Sequence, residues 1–123
     1  MRKIFLLCVL MVLTACTSAE KEMDIIQQIE RDLETIVNSN ALNKISSNPN
    51  DYIEAHLNEF ENIVSQKEIA INHFLSKFEK SDENGLEEYI MAAASVEILG
   101  EENPVKEWST GKEWYEKYIS LKE

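Results

Sequence analysis

From residue 23 to residue 121 the apolar side chains return every three or four positions, and nowhere in strict alternation. Steps of three and four place side chains on one stripe of a helix, whereas a strand needs every second residue. The stripes are short and are separated by turn-forming residues. The spacing therefore predicts an all-α fold, a small orthogonal or HEAT-like bundle of about five helices.

The first helix is expected from near Glu20, with Met23, Ile26, Ile29, Leu33, Ile36 and Val37 facing inward and Glu22, Asp24, Glu30 and Glu34 facing water. Asn38-Ser39-Asn40 weakens it, and Ala41, Leu42 and Ile45 carry it one further turn. Asn48 as N-cap, Pro49 at the first helical position and Asp51 in the first turn open a second helix that runs to about Ser65. Its inner positions are Tyr52, Ile53, His56, Leu57, Phe60, Ile63 and Val64. A break near Gln66 precedes a third helix with Ala70, His73 or Phe74, Leu75 and Phe78, ending at Lys80. The turn at residues 81–85 leads into a fourth helix lined by Leu86, Tyr89, Ile90, Ala93, Val96 and Leu99. Met91-Ala92-Ala93-Ala94 is small and apolar all round, which marks this helix as the central one. Gly100 stands where a helix-ending glycine belongs. After a charged loop containing Pro104, Thr110 and Glu113 have capping-box spacing and start a last helix with Trp114, Tyr115, Tyr118 and Leu121.

The chain opens on Met1-Arg2-Lys3, an apolar run over residues 4–13, and then Leu13-Thr14-Ala15-Cys16. The run is about 10 residues, the length of a signal-peptide core and short of the roughly 20 that cross a bilayer. Leu, two small residues and Cys resemble the bacterial lipoprotein signal, in which the cysteine is lipidated and becomes the new N-terminus. The expected organisation is a signal peptide at 1–15, a lipidated tether at 16–21 and one acidic helical domain at 22–123. Thr17 is not the Asp that retains lipoproteins at the inner membrane of two-membrane cells. The outer membrane is the expected location in such a host, and the extracytoplasmic face of the single membrane otherwise.

Removing residues 1–15 from 123 leaves 108, enough for one domain with a real core. Ten of the twelve basic residues then face twenty-three acidic ones, and the net charge moves from −11 to −13. Such a domain repels nucleic acid and anionic lipid surfaces, so membrane contact is expected through the lipid on Cys16. Cys8 leaves with the leader and Cys16 is consumed by the lipid. The processed domain then has no disulfide, thiolate nucleophile or cysteine-bound metal.

With Gly85 set as the sixth position of a calcium loop, Lys80 falls on the first ligand position and Met91 on the twelfth, which fails. His56 and His73, the only histidines, lie in no zinc motif and sit at the edges of apolar helix faces. No Gly-x-Ser-x-Gly elbow or phosphate loop occurs. Dense Glu on helices reads as a solvated face before it reads as a placed acid pair. The expectation is a non-enzymatic module with no cofactor. Trp108, Trp114, Tyr115 and Tyr118 are the candidate interface for a protein or envelope partner, because aromatic residues bury much area at little entropic cost. The competing reading has Trp114 and Tyr118 fastening the last helix to the bundle. An alternative function is a small-ligand or hydrolytic envelope protein that uses His56 or His73 beside carboxylates.

Several runs belong together: residues 47–53, 74–79, 84–92, 97–100 and 108–115. As a set they resemble an uncharacterised helical module of Firmicutes lipoproteins. They are also similar to a module at the extracellular end of sensor metallopeptidases of the beta-lactam-response type. The resemblance covers roughly residues 46–118. It implies a helical fold and an extracytoplasmic setting, and it implies no catalytic residues. The chain lacks the metallopeptidase motif and the membrane helices of those larger proteins, so it corresponds only to the appended module.

Overall fold

No glycine or proline interrupts residues 2–37, and a computed structural model of the chain makes them one helix, α1 (Arg2–Val37). The structure describes residues 2–39 and 46–122, with side chains from residue 18 onward. The expected extra turn at Ala41, Leu42 and Ile45 lies outside these residues, as does the Cys16 side chain. Five further helices follow: α2 (Pro49–Ala55), α3 (Leu57–Ser65), α4 (Glu68–Lys80), α5 (Leu86–Leu99) and α6 (Gly111–Lys122). A 3-10 turn (Gly100–Glu102) follows α5. The described residues contain no strand, and the fold is the expected all-α bundle, with six helices in place of five. No helix among them is long and apolar enough to cross a membrane.

The extra helix arises at His56. There the backbone leaves helical geometry (φ −132°, ψ 49°), and its N–H bonds Ile53 O at 3.1 Å. The expected single helix over 49–65 is thus split in two. Tyr52 before the break and Ile63 after it are both buried, while Leu57, expected on the inner face, is 52% exposed. At the α3–α4 turn Lys67 takes a positive φ of 52°, a conformation rare for a residue with a side chain.

Helix α1 begins eighteen residues earlier than its periodicity suggested and continues through the expected tether. Its packing starts later than expected. Residues 18–24 are exposed on every side, and Met23, expected to face inward, is 61% exposed. Among the described side chains of α1, Ile25 is the first apolar one that packs on the core, and Ile29, Leu33 and Ile36 behind it are buried. The N-cap at Asn48 and the helix ends at Lys80 and Leu99 lie where the turn-forming residues place them.

Helix α5 is the centre of the bundle and touches all five other helices. Ile90, Met91, Ala92, Ala94 and Ser95 are all buried and cover more than half of the helix circumference, while Glu97 on the remaining side is exposed. The Ser95 hydroxyl satisfies itself within the helix by donating to Met91 O at 2.8 Å. Phe74 and Phe78 of α4 and Trp114 and Tyr118 of α6 close the aromatic part of the core. Asn103 tucks the loop between α5 and α6 under this cluster. Its side chain accepts from Trp114 Nε1 at 3.3 Å and donates to Val105 O at 2.8 Å, and both Asn103 and Val105 are buried.

Candidate functional site

The starts of α2, α5 and α6 meet at one edge of the bundle, and each is capped by its own side chains. At α2, Asn48 Oδ1 accepts the Asn50 N–H at 3.1 Å. Ser46 Oγ accepts the Asn48 N–H at 3.2 Å and donates to the Asp51 carboxylate at 2.5 Å. At α5, the Glu88 carboxylate accepts the Gly85 N–H at 2.8 Å. At α6, Thr110 Oγ1 accepts the Glu113 N–H at 3.1 Å, and the Glu113 carboxylate accepts the Ser109 N–H at 3.2 Å. The Lys117 ammonium, followed by the Ser109 N–H, holds Glu113 below the ordinary carboxylate range. A carboxylate at a helix start also suits the positive end of the helix dipole.

Two contacts bring α6 against α5. Asn84, in the turn before α5, accepts the Lys112 N–H at 3.1 Å through Oδ1. Gly111, buried at the start of α6, lies directly on the first turn of α5. A Cβ at Gly111 would stand 2.1 Å from the Glu88 carbonyl oxygen. Only a glycine lets the two backbones approach this closely.

This seam and the start of α2 enclose a cleft of about 300 Å³, lined by Ser46, Ser47, Pro49, Tyr52, Asn84, Gly85, Leu86, Tyr89, Ser109 and Thr110. None of the ten is charged, on a chain of net charge −11. Tyr52 is buried and donates to Ser46 O at 3.3 Å. Tyr89 is half-buried, donates to Asn50 Oδ1 at 3.3 Å, and packs its ring against Trp108 with centroids 5.0 Å apart. The exposed hydroxyls of Ser47 and Ser109 and the amide nitrogen of Asn84 bond to none of the described residues. The cleft therefore offers spare donors and acceptors beside the ring of Tyr89 and the apolar Leu86 and Pro49. A wider hollow, about 520 Å³, lies between the α3–α4 turn and the end of α5, and Lys67, Glu68, Glu97 and Glu102 make it charged.

The four aromatic residues expected to form an interface do not share a solvent face. Trp114 is fully buried and Tyr118 nearly so, their rings stacked with centroids 4.9 Å apart. Tyr115 is half-buried and stacks on Phe78 at 5.0 Å, and Trp108 is half-buried behind Tyr89. Trp114 and Tyr118 fasten α6 to the bundle. Trp108 alone of the four lies beside the cleft.

The histidines lie elsewhere. His56 faces Glu59 at 3.8 Å across the α2–α3 break. His73 meets Glu30 of α1 at 2.5 Å, and Lys77, one turn on, bonds both Glu30 oxygens at 2.9 and 3.2 Å and Glu87 of α5 at 3.3 Å. The His73 bond, reinforced by Lys77, holds the Glu30 carboxyl down at about 2. Burial lowers Lys77, but Glu30 and Glu87 outweigh it and keep its ammonium above the ordinary lysine range. This half-buried chain of charges ties α1, α4 and α5 together, and each polar atom of Glu30 is already engaged. No group of three or more His, Cys, Asp or Glu placed to hold a metal occurs among the described residues.

On sequence the cleft residues divide between caps and turns, such as Pro49, Asn84, Gly85 and Thr110, and the inner helix positions Tyr52, Leu86 and Tyr89. The signal that was present is their repetition, since three helix starts carry Ser, Thr or Asn, two of them have a tyrosine (Tyr52, Tyr89) in the first turn that follows, and the third follows Trp108. No protein-family model, curated protein or solved structure matches this chain.

Proposed function

We propose that the chain is a lipid-anchored extracytoplasmic lipoprotein of the bacterial envelope, held through Cys16 and acting as a non-enzymatic binding module. The setting rests on the leader and on Leu13-Thr14-Ala15-Cys16. The binding role rests on one observation: the uncharged, hydroxyl-lined cleft at the three helix starts, set in a strongly acidic domain. A concave site with a few convergent polar groups and an apolar wall is the usual form of a ligand site. The resemblance to the helical module of Firmicutes lipoproteins suits the extracytoplasmic setting. In this reading the cleft takes the place of the aromatic patch as the recognition surface, and an envelope component takes precedence over a protein partner.

Two experiments test the reading. Replacing Cys16 by Ser is expected to move the protein from the membrane fraction to the medium or the soluble envelope fraction. Unchanged membrane retention removes the lipid anchor. Crosslinking in intact cells, with the lipidated protein beside a Ser109→Trp variant that fills the cleft, is expected to capture an envelope component that the variant loses. Equal capture by both proteins places recognition away from the cleft.

A further inference from the structure

We infer that the cleft at the starts of α2, α5 and α6 binds an uncharged pyranose saccharide, with the sugar hydroxyls on Ser47, Asn84, Ser109 and Thr110 and its carbon face against Tyr89. The inference deepens the proposed binding role and rests on it.

Charge selects against an ionic ligand. The domain carries a large negative excess, and its field disfavours the approach of phosphate polymers and acidic glycans. A cationic ligand would be expected to meet a carboxylate inside its site, and the cleft lining has none. A neutral ligand is the class that this combination leaves undisturbed.

The polar groups of the cleft match those of a sugar. A sugar hydroxyl both donates and accepts, and so do the Ser47, Ser109 and Thr110 hydroxyls. Thr110 Oγ1 already accepts from the Glu113 N–H, which leaves its own proton to give. Asn84 Oδ1 is spent on Lys112, which leaves its amide N–H groups to donate and fixes the amide's orientation. Donors that caps hold in place lose little freedom on binding.

The shape of the cleft fits as well. A pyranose has one face of C–H groups, which needs an apolar wall, and Tyr89, Leu86 and Pro49 line the cleft for that purpose. The ring of Tyr89 is held from behind by Trp108 and its hydroxyl by Asn50, so the wall is rigid. A volume of about 300 Å³ is at the small end for ligand sites and suits a short stretch of sugar rather than a long peptide.

Trp108 also supplies the assay, because its ring touches the residue on which the sugar would rest. The full-length lipidated protein in neutral detergent is titrated with an N-acetylglucosamine tetramer and with a glucose tetramer, and tryptophan fluorescence is read. Poly(glycerol phosphate) is the anionic comparison, and insoluble cell-wall glycan is used in a parallel sedimentation assay. A saturable change with at least one neutral tetramer, and none with the phosphate polymer, is expected. The Ser47→Ala, Ser109→Ala double variant loses two exposed hydroxyls that hold nothing in the fold. It is expected to bind about tenfold more weakly at an unchanged thermal midpoint. Free-tetramer binding without sedimentation identifies soluble oligosaccharide as the source, and binding to both identifies the wall strand.

No response to either tetramer at millimolar concentration overturns the saccharide inference, as does equal binding by the double variant. In that event the cleft-filled Ser109→Trp crosslinking comparison separates the two failures. A component still lost from the variant leaves the binding module standing with another ligand class, and a component retained by both removes the cleft reading as well.

Discussion

Replacing Gly111 by Ala tests the seam on which the cleft depends. In an ordinary helix the exchange would stabilise the protein by up to about 1 kcal/mol, because alanine loses less backbone freedom on folding. Here the added Cβ would lie 2.1 Å from the Glu88 carbonyl oxygen, 2.2 Å from its carbon and 2.8 Å from the Tyr89 nitrogen. A relaxed carbon–oxygen contact is about 3.3 Å or more, so α6 must lift from α5 by roughly 1 Å. The obstacle is backbone on both sides, so no rotamer change relieves it. Overpacking of this kind costs about 1–3 kcal/mol, and a rigid obstacle falls at the upper end. A gap of about 1 Å along the seam also forfeits a sizeable part of the dispersion contacts of Trp114 and Tyr118.

The net expectation is a loss of about 2 kcal/mol or more, which for a domain of this size lowers the thermal midpoint by roughly 8 °C. Far-UV circular dichroism during heating, and urea titration at one temperature, measure both quantities. Gly85→Ala is the internal control: its φ is −119° and its nearest neighbour is the flexible Glu88 Oε1 at 3.7 Å. That variant is expected within about 0.5 kcal/mol of the parent. A Gly111→Ala protein as stable as the parent would show that the two helices do not rest on each other as described, and the position of Ser109 and Thr110 in the cleft would fall with it.

Three other perturbations have definite signs. Trp114→Ala empties the centre of the aromatic cluster and is expected to cost about 3–5 kcal/mol, enough to leave the chain largely unfolded in a urea titration. Asp32 is buried on α1, where burial raises its pKa, with the Gln28 amide as its one hydrogen-bond donor at 3.1 Å and the charge of Glu59 opposing ionisation. Asp32→Asn is expected to stabilise the protein at neutral pH by up to about 1 kcal/mol, and a loss of stability would contradict that account. Glu30 titrates at about 2 in the folded protein against an ordinary 4.5, so its contribution is complete above 4.5 and is lost as the pH falls toward 2. The nominal 3 kcal/mol or so is screened, since the side chain is 40% exposed, and about 1 kcal/mol is expected. The stability gap between the parent and Glu30→Gln should close across that pH window, and a constant gap would refute the assignment.

The parts of the fold that the sequence made legible are those marked by residues with a local mechanism. Asn48-Pro49 and Thr110 with Glu113 name their helix starts because their side chains bond their own backbone, and Met91-Ala92-Ala93-Ala94 reveals a helix with no polar side to offer water. The break at His56 was not legible, since it falls between Ala55 and Leu57 with no proline or glycine. Gly111 was read as part of a capping box, and only the tertiary position of Glu88 shows why it must lack a side chain. Tryptophan and tyrosine at positions 114 and 118 have the spacing of a core stripe and the composition of an interface, and sequence alone does not separate the two. The cleft was least legible of all. Its lining comes from three helix starts far apart in the chain, and each residue there already has a cap, a turn or an inner helix face to explain it.

The same limit applies to the anchor, where the structure changes the kind of connection proposed between lipid and domain. Polar residues after Cys16 suggested a slack tether, yet α1 runs through them without a break and stays exposed on all sides up to Asp24. Residues 16–24 as helix span about 13 Å. Glu20, Glu22 and Asp24 make that segment acidic, so on the proposed anchor it is expected to stand off anionic headgroups. From Ile25 onward the same helix enters the core, with Ile29, Leu33 and Ile36 buried and Glu30 bonded to His73 and Lys77. No glycine or proline separates the stalk from the core. On the proposed anchor the lipidated cysteine and the packed bundle are then two ends of one rigid element. A cleft built on α5, which α1 packs against, is presented to the envelope at a distance that the helix sets rather than a flexible linker.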